Sequence, residues 1–582
     1  MCGICGWYGS NDLSLIRRMV ESIRHRGPDG TEVLAVGRHG LGAARLAIFG
    51  GDQAWQPWSG AGLAVVFNGE IYNYTELTSE VELEGVPISN GEPELLARLY
   101  RKYGTDFAAR LRGMFAVAII DLETDRLVLA RDPFGIKPLY FVEKNGTLAF
   151  ASEIKALLQA HAVDPEFDVE VLAGLATFGY VFQLDRTLFR GVRQLEPGTV
   201  AVYSDRGFWT TRYYEIPSAK RVPEVQESHL NEATERIRFA LDDAIRVQYG
   251  HSRLSKAFYL SGGVDSTFMA SLAAFHASGP ITTYTLADDE ASEDFQYARK
   301  VSSVLGSDHR EVRVDFDGYL KALPDYVSHY EHISAGGVFD LHGGVAFHIL
   351  SKEIGKDFKV AFSGEGADEL FGGYYWTFTH PLGFADRIRA RLCVGENGAV
   401  AEALASLFPK PEDSWFYRTQ LLDWLMRGGL SNYHLCSVDR SCGAFGFEIR
   451  PAYLDIRLAD EALRLPAELK LGRDGCQTKH ILKEAARPLF KSLGIENILT
   501  RQKLGMPWAV HTIEPKIAAW AEMQVSDEHM SRHPFRRYLT SKLEVLMFDL
   551  FYHIFIARRG VLEEGFQLET FFGSGAHERL YS

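Results

Sequence analysis

Ala257-Phe258-Tyr259-Leu260-Ser261-Gly262-Gly263-Val264-Asp265-Ser266 is the stretch from which the rest of the chain is read. Four apolar residues read as a buried strand, a serine and two glycines turn it, and residues 266–276 continue as a helix. Glycine lets the backbone approach a bound phosphate. The helix behind it offers unpaired N–H groups and the positive end of its dipole. Apolar runs at 281–286 and 358–362 repeat the strand signal, which predicts a parallel sheet with helical crossovers. The turn is not of the Walker type, because no Gly-x-x-x-x-Gly-Lys-Ser/Thr occurs.

The run at 358–362 leads into Ser363-Gly364-Glu365-Gly366-Ala367-Asp368-Glu369-Leu370-Phe371-Gly372-Gly373-Tyr374. Three carboxylates and four glycines at the carboxyl end of a parallel strand suit a phosphate and metal site. Thr478-Lys479-His480-Ile481-Leu482-Lys483-Glu484 adds cations on one helix. Upstream, residues 229–248 read as an amphipathic helix, and the segment around Ile216 to Pro223, with two prolines, reads as a linker. Beyond the sheet the chain is mostly helical. Its most apolar stretch, Leu543 to Ala557, holds Glu544, Asp549 and His553 and is too short to span a bilayer.

The first part of the chain has a different texture. Leu63–Phe67, Met114–Ile120 and Arg126–Ala130 are strand-like, with helical patterns at 13–23 and 92–103 between them. That mixture predicts a layered α+β domain. At its start Cys2 follows Met1 directly. Removal of Met1 leaves an α-amine of pKa about 8 beside a thiol of pKa about 8.5, so one residue supplies both nucleophile and base. Polar clusters at turns stand out at Arg24–Asp29, Arg45–Ile48, Asn68–Asn73 and Arg131–Tyr140.

The 582 residues are too many for one core, which predicts several domains. Basic residues number 62 and acidic 76, for a net charge of −14, and no basic block argues for nucleic acid. The six cysteines are few and irregular, which suits a reducing compartment and suggests neither a disulfide framework nor a zinc site. The start lacks the pattern of a signal peptide, and a cytoplasmic location is expected.

With Cys2, Asn68-Gly69-Glu70, Ser261–Ser266 and Ser363–Tyr374 in this order, the chain resembles the glutamine-dependent asparagine synthetase family over nearly its whole length. The resemblance implies an α+β N-terminal-nucleophile glutaminase domain at 1–212, with two antiparallel sheets between helices. A linker at 213–228 follows, then an α/β parallel-sheet ATP-pyrophosphatase domain at 229–582 with a largely helical C-terminal part. It implies that Cys2 attacks glutamine, that Asn68 and Gly69 form an oxyanion hole, and that Arg45, Glu70 and Glu92 bind the substrate. The freed ammonia passes inside the protein to a second site, where a carboxylate is adenylated by ATP and then amidated. There Leu260, Ser261, Gly262, Gly263, Asp265, Ser266, Leu286, Ser363 and Gly364 bind ATP. Asp265 and Asp368 hold Mg2+, Lys479 neutralises the pyrophosphate, and Glu365 positions or deprotonates ammonia. Arg440 and Arg450 fall on family arginine positions of open role. Glutamine and a carboxylate acceptor are the expected partners, with no nucleic acid and no membrane, and a homodimer stays open beside a monomer.

Three segments depart from the family pattern. Glu92 in Gly91-Glu92-Pro93-Glu94 stands where the family has Asp. The segment Arg450-Pro451-Ala452-Tyr453-Leu454-Asp455 replaces Arg-Val-Pro-Phe-Leu-Asp. Ser334–Gly344 contains no arginine for the α-carboxylate of an aspartate acceptor. Either the acceptor is another carboxylate, as in natural-product assembly, or a different arginine serves. An ATP-dependent cyclase of the β-lactam synthetase type is the competing activity, and Cys2 with Arg45 argues against it.

Overall fold

The computed structural model describes every residue except 51–53, 83–86, 179, 182, 218–226, 334–337, 375–424, 473–476 and 582. The chain begins with two antiparallel six-stranded sheets. Gly3–Tyr8 lies between His39–Arg45 and Thr147–Ala151 in the first, and Gly113–Asp121 lies between Leu63–Ile71 and Arg126–Arg131 in the second. Strand alternation decides the layering. Ile4 and Tyr8 join Val66 and Ala116 in the core between the sheets, whereas Cys5 turns outward to Ile16, Met19 and Val20 of the helix Leu13–Ser22. In the second sheet Val65 and Phe67 face Leu95, Leu96 and Leu99 of the helix Gly91–Tyr103. The layers therefore run helix, sheet, sheet, helix, the expected α+β arrangement.

A five-stranded parallel sheet follows, in the order Asp308–Arg313, Thr282–Ala287, Lys256–Tyr259, Val360–Ser363, Glu448–Pro451. Its faces carry different cores. Ala257 and Tyr259 point to one face, with the helices Phe316–Tyr330 and Val338–Ile354. Phe258 and Leu260 point to the other, with the helices Glu227–Gly250 and Val264–His276.

Two sequence expectations need correction. The sheet has two more strands than the apolar runs predict. Asp308-His309-Arg310-Glu311-Val312-Arg313 is an edge strand with almost no apolar content, and Glu448-Ile449-Arg450-Pro451 is a buried strand whose charges are ion-paired. Neither gives a hydrophobic run. The supposed loop 334–344 is helical from Val338 onward, while its residues 334–337 lie outside the described residues. Gly344 packs too closely for a side chain: a Cβ there would sit 2.2 Å from the Tyr326 hydroxyl. The linker call at 213–228 falls largely on residues outside the description. Tyr213 is tied back to the first domain through the Arg131 carbonyl at 2.8 Å, and Tyr214 reaches Asp460 of the second at 2.8 Å.

The two domains meet through buried charge. Arg26 pairs with Glu153 at 2.9 Å and with Asp439 at 2.9 Å. Arg440 pairs with Glu153 at 3.1 Å and with Glu331 at 2.8 Å. The Glu331 carboxylate also accepts the N–H groups of Ile154 and Lys155 at 2.7 and 2.8 Å. Removing one member of such a lattice strands its partners in a dry environment. Arg440→Ala leaves Glu153 and Glu331 short of a cation, and a loss of about 3–5 kcal/mol is expected. Thermal unfolding checks it against Arg24→Ala, whose pairing with Glu21 is at the surface. Equal midpoints for the two variants would contradict the assignment.

Candidate active sites

The first cavity is lined by Cys2, Arg45, Leu46, Gly69, Glu70 and Glu92, with Gln56, Phe67 and Glu448 completing the wall. The end of the first sheet carries Cys2 into it. The Cys2 thiol lies 3.4 Å from the Leu46 N–H and 3.7 Å from the Leu46 carbonyl. Burial pushes the thiol above its usual range. The Met1 amine is buried beside it, and burial pushes that amine down to about 5. Arg45 donates to the Ala54 carbonyl at 3.0 Å and lies over the Trp55 ring. Asn68 is fully buried, and neither its amide nitrogen nor its oxygen has a hydrogen-bond partner. Buried polar groups are seldom left so, and this one adjoins the cavity through Gly69. Gly69 has φ +146°, and a Cβ there would fall 1.9 Å from the Met114 carbonyl. Only glycine permits this close approach of the neighbouring strand.

Glu70 and Glu92 do not stand alone. His251, at the end of the helix Glu227–Gly250, reaches across from the second domain with Nε2 2.8 Å from Glu70 and 3.7 Å from Glu92. Arg450 adds a second cation 3.2 Å from Glu70. Burial works against every charge in this group. For Glu70 the cations outweigh burial and hold the carboxyl below its usual value. For Glu92 burial and the neighbouring Glu70 charge prevail, pushing it up to about 7. His251 is pushed up to about 9, since its hydrogen bonds and attraction to both carboxylates exceed its burial. Near neutral pH the set is a cationic His251, an ionised Glu70 and a titrating Glu92.

The second cavity opens at the carboxyl end of the parallel sheet. Ser261, Gly263, Val264 and Asp265 line one side, and Lys479, Lys483, Arg501 and Lys503 the other. Gly262 takes φ +70° and packs so closely that a Cβ would meet Tyr297 at 2.4 Å. Arg501 donates to the Ser261 carbonyl at 2.7 Å and pairs with Asp294, which fixes the turn from below. Lys479 bridges Asp265 and Asp368, lying 2.6 Å from the latter, and Lys503 holds Asp368 at 2.8 Å. Burial opposes the Asp368 charge, yet the two lysines hold its carboxyl far below the usual range. Lys479 has a left-handed backbone, φ 56° and ψ 32°, a strained conformation worth about 1–3 kcal/mol for a residue with a side chain. Such strain persists where the surroundings impose it, and here the lysine is aimed between two aspartates. The Oδ1 of Asp265 is buried without a hydrogen-bond partner. Two adjacent carboxylates, one with an unused oxygen, fit a Mg2+ ion carried in with a polyphosphate.

Glu365, also in this region, is partly withdrawn from water, and burial raises its carboxyl above the usual value. Next to Asp368, Glu369 is fully buried and accepts from the Tyr374 hydroxyl at 2.5 Å, while Tyr374 also contacts His434 Nε2 at 2.9 Å.

The structure gathers Cys2, Arg45, Gly69, Glu70 and Glu92 about one cavity and Ser261, Gly263, Asp265 and Lys479 about the other. Gly364 approaches Asp265 closely enough that a Cβ would lie 3.3 Å from it, and the buried Ser363 hydroxyl has no partner. Ser266 turns its hydroxyl to the Ser261 N–H and hydroxyl instead of outward. Leu260 and Leu286 are not brought together: they belong to the cores on opposite faces of the sheet, and neither lines the cavity. His251, Lys503 and Arg501 were not foreseen. Arg501-Gln502-Lys503 is a basic pair beyond the last anticipated motif, and that was the available signal.

Residues 1–214 match a glutamine amidotransferase domain, and residues 236–544 match asparagine synthase. Glutamine-hydrolysing asparagine synthetase 1 of Bacillus subtilis is 28% identical, over 97% of this chain and 98% of its own. The enzyme of that name from Cricetulus griseus is 28% identical, over 91% of this chain and 89% of its own.

Gly373 tests the second cavity. A Cβ there would lie 1.7 Å from Asp368 Oδ1 and 2.3 Å from Lys479 Cε. Gly373→Ala must therefore displace the bridge, and ATP affinity is expected to fall about tenfold or more, the scale of a lost 1.4 kcal/mol. Fluorescent-nucleotide binding measures it, and unchanged affinity speaks against a nucleotide at this cavity.

Proposed function

The chain belongs to the asparagine synthase family, and from that premise we propose a two-site, glutamine-hydrolysing amidotransferase that converts a carboxylate to an amide at the expense of ATP. One observation carries the reading. A thiol cavity with three carboxylates and an arginine, and a glycine-loop cavity with four cations, occur in one chain whose domains share buried ion pairs.

With Met1 removed, the Cys2 amine takes the thiol proton and Sγ attacks the amide carbon of glutamine. Asn68 and Gly69 donate to the oxyanion that develops. The C–N bond breaks, ammonia leaves, and water hydrolyses the thioester to glutamate. Arg45 holds the substrate carboxylate, and Glu92 with Glu70 attracts its ammonium. At the second cavity an oxygen of the acceptor carboxylate attacks the α-phosphorus of ATP, and the bond to the pyrophosphate breaks. Mg2+, when held by Asp265 and Asp368, supplies charge neutralisation. Lys479, Lys483 and Lys503 surround the phosphates with positive charge. Ammonia then attacks the acyl carbon, AMP leaves, and Glu365, its pKa raised by burial, accepts the surplus proton. Aspartate is the first acceptor to try, because the matched relatives are named for asparagine. The thiol cavity favours this reading over a cyclase, which has no use for ammonia.

Cys2→Ala separates the two sites. Glutamine hydrolysis and glutamine-dependent amide formation should fall to background, while ammonium salts still support amide formation and AMP release. Persistent hydrolysis in the variant sinks the assignment of Cys2. Amide formation from aspartate, read by amino-acid analysis, decides the acceptor.

The acid limb of glutamine use is set by Glu92. Its raised value means that it is neutral below about pH 7 and anionic above. The ammonium of glutamine needs the anion, so kcat/KM for glutamine should drop as pH falls through 7. Glu92→Gln should lower the plateau and remove that limb, and a limb unchanged in the variant assigns it to another group.

A further inference from the structure

His529-Met530-Ser531-Arg532-His533 places two imidazoles four residues apart, and His577-Glu578-Arg579-Leu580-Tyr581 repeats the spacing with a phenol. Residues so spaced share one face of a helix. His529 lies in the helix Asp527–Arg532 with His533 at its C-cap, and His577 opens the turn His577–Arg579. Between them the helix Lys542–Phe551 brings in Asp549, which is fully buried. Four ring side chains, His529, His533, His577 and Tyr581, gather around this carboxylate. His529 Nε2 lies 2.8 Å from Asp549 Oδ2, while His533 Nε2 and the Tyr581 hydroxyl lie 3.0 and 2.7 Å from Oδ1.

Hydrogen bonding to Asp549 accounts for three of these groups but not for the fourth. His577 is 1% exposed, and neither ring nitrogen has a partner within hydrogen-bond geometry, Glu578 Oε1 lying 4.0 Å from Nε2. Its ring stands edge-on to His529 with centroids 5.1 Å apart. A buried polar group without a partner costs about 1–3 kcal/mol, so His577 is short of a ligand. One donor atom from each of His529, Asp549 and His577 lies within 4.8 Å of the other two. Small side-chain rotations bring such a set onto a common ion at bond lengths of about 2.1 Å.

We propose that His529, Asp549 and His577 bind a divalent transition-metal ion of the zinc class. Neutral imidazoles and one carboxylate are its preferred donors, and the all-oxygen shell favoured by Mg2+ or Ca2+ is absent from the set. His533 and Tyr581 hold the second oxygen of Asp549 and so orient the ligand, as outer partners do in metal sites. The ion acts as a staple. Tyr581 packs on Tyr552, and Phe535 and Phe548 of the same lobe pack on Phe167 of the first domain at 5.4 and 5.3 Å. Fixing the end of the chain to Asp549 therefore fixes part of the contact between the domains. Among the described residues, the other two clusters of this kind do not compete. Asp325, His329 and His348 leave the carboxylate 43% exposed and engage His329 with the Asp325 carbonyl, and Glu70, Glu92 and His251 belong to the first cavity.

The test uses the untagged full chain, dialysed against a chelator and then titrated with Zn2+ alone. The wild type is expected to bind one equivalent, measured by elemental analysis after desalting, and its unfolding midpoint should rise on binding. Co2+ in its place should give visible d–d absorption. His577→Ala and Asp549→Asn should each weaken zinc uptake about tenfold or more, the scale seen when metal ligation is disturbed. Should Asp549→Asn not fold, His577→Gln decides, since the hydrogen-bonded core around Asp549 stays intact in it. Zinc uptake equal in wild type and His577 variants, or no uptake by the wild type, overturns the proposal.

Discussion

Arg26, Glu153, Asp439, Arg440 and Glu331 form a connected set of buried charges that ties the two domains, each with its own cavity, to one another. Charges taken out of water are tolerable only with close partners. Burial alone would raise the Glu153 carboxyl, yet His25, Lys155 and Arg440 hold it well below the usual range. Such a lattice has one good arrangement and many poor ones, so it sets the relative position of the domains more sharply than an apolar contact can. In the proposed function two reactions share an intermediate, and such sharing needs that fixity. Ammonia that reaches bulk water at neutral pH takes up a proton and loses its lone pair, so a loose junction would waste it.

The same logic joins the first cavity to the second domain. Glu70 faces the cavity with one carboxylate and meets His251 and Arg450 with the other side of the same group. The parallel sheet ends in Glu448–Pro451, and that strand delivers both Arg450 and Glu448, the latter lining the first cavity. A substrate ammonium arriving at Glu70 and Glu92 enters a field partly set by the domain that does not bind it. Its charge competes with that of His251 for the same carboxylates.

Much of this was legible because the decisive signals are local. The glycine turn at Ser261–Ser266 and the strand runs at Leu63, Met114 and Arg126 obey short-range rules of periodicity and backbone freedom. What was missed shares a cause. Asp308–Arg313 and Glu448–Pro451 are strands made of charged residues, whose pairing partners lie far away in sequence. His251 and Lys503 become intelligible only when the fold sets them 2.8 Å from Glu70 and from Asp368. Leu260 and Leu286 show what strand position alone leaves open. Both end strands, but side-chain alternation sends them to different faces.

Cys2 shows how the lattice and the chemistry meet in one residue. Arg26, the lattice member nearest the N-terminus, donates from Nε to the Cys2 carbonyl at 3.1 Å and carries Met1 Sδ 3.7 Å from its Nη2. While Met1 remains, its amine is buried among Arg26, Lys137 and Glu448 and, with its pKa near 5, is uncharged at neutral pH. The Cys2 nitrogen is then an amide and can take no proton. Loss of Met1 turns that nitrogen into an amine at the same place, held through the neighbouring carbonyl by Arg26. In the proposed mechanism the base is thus positioned by the domain junction before any substrate binds.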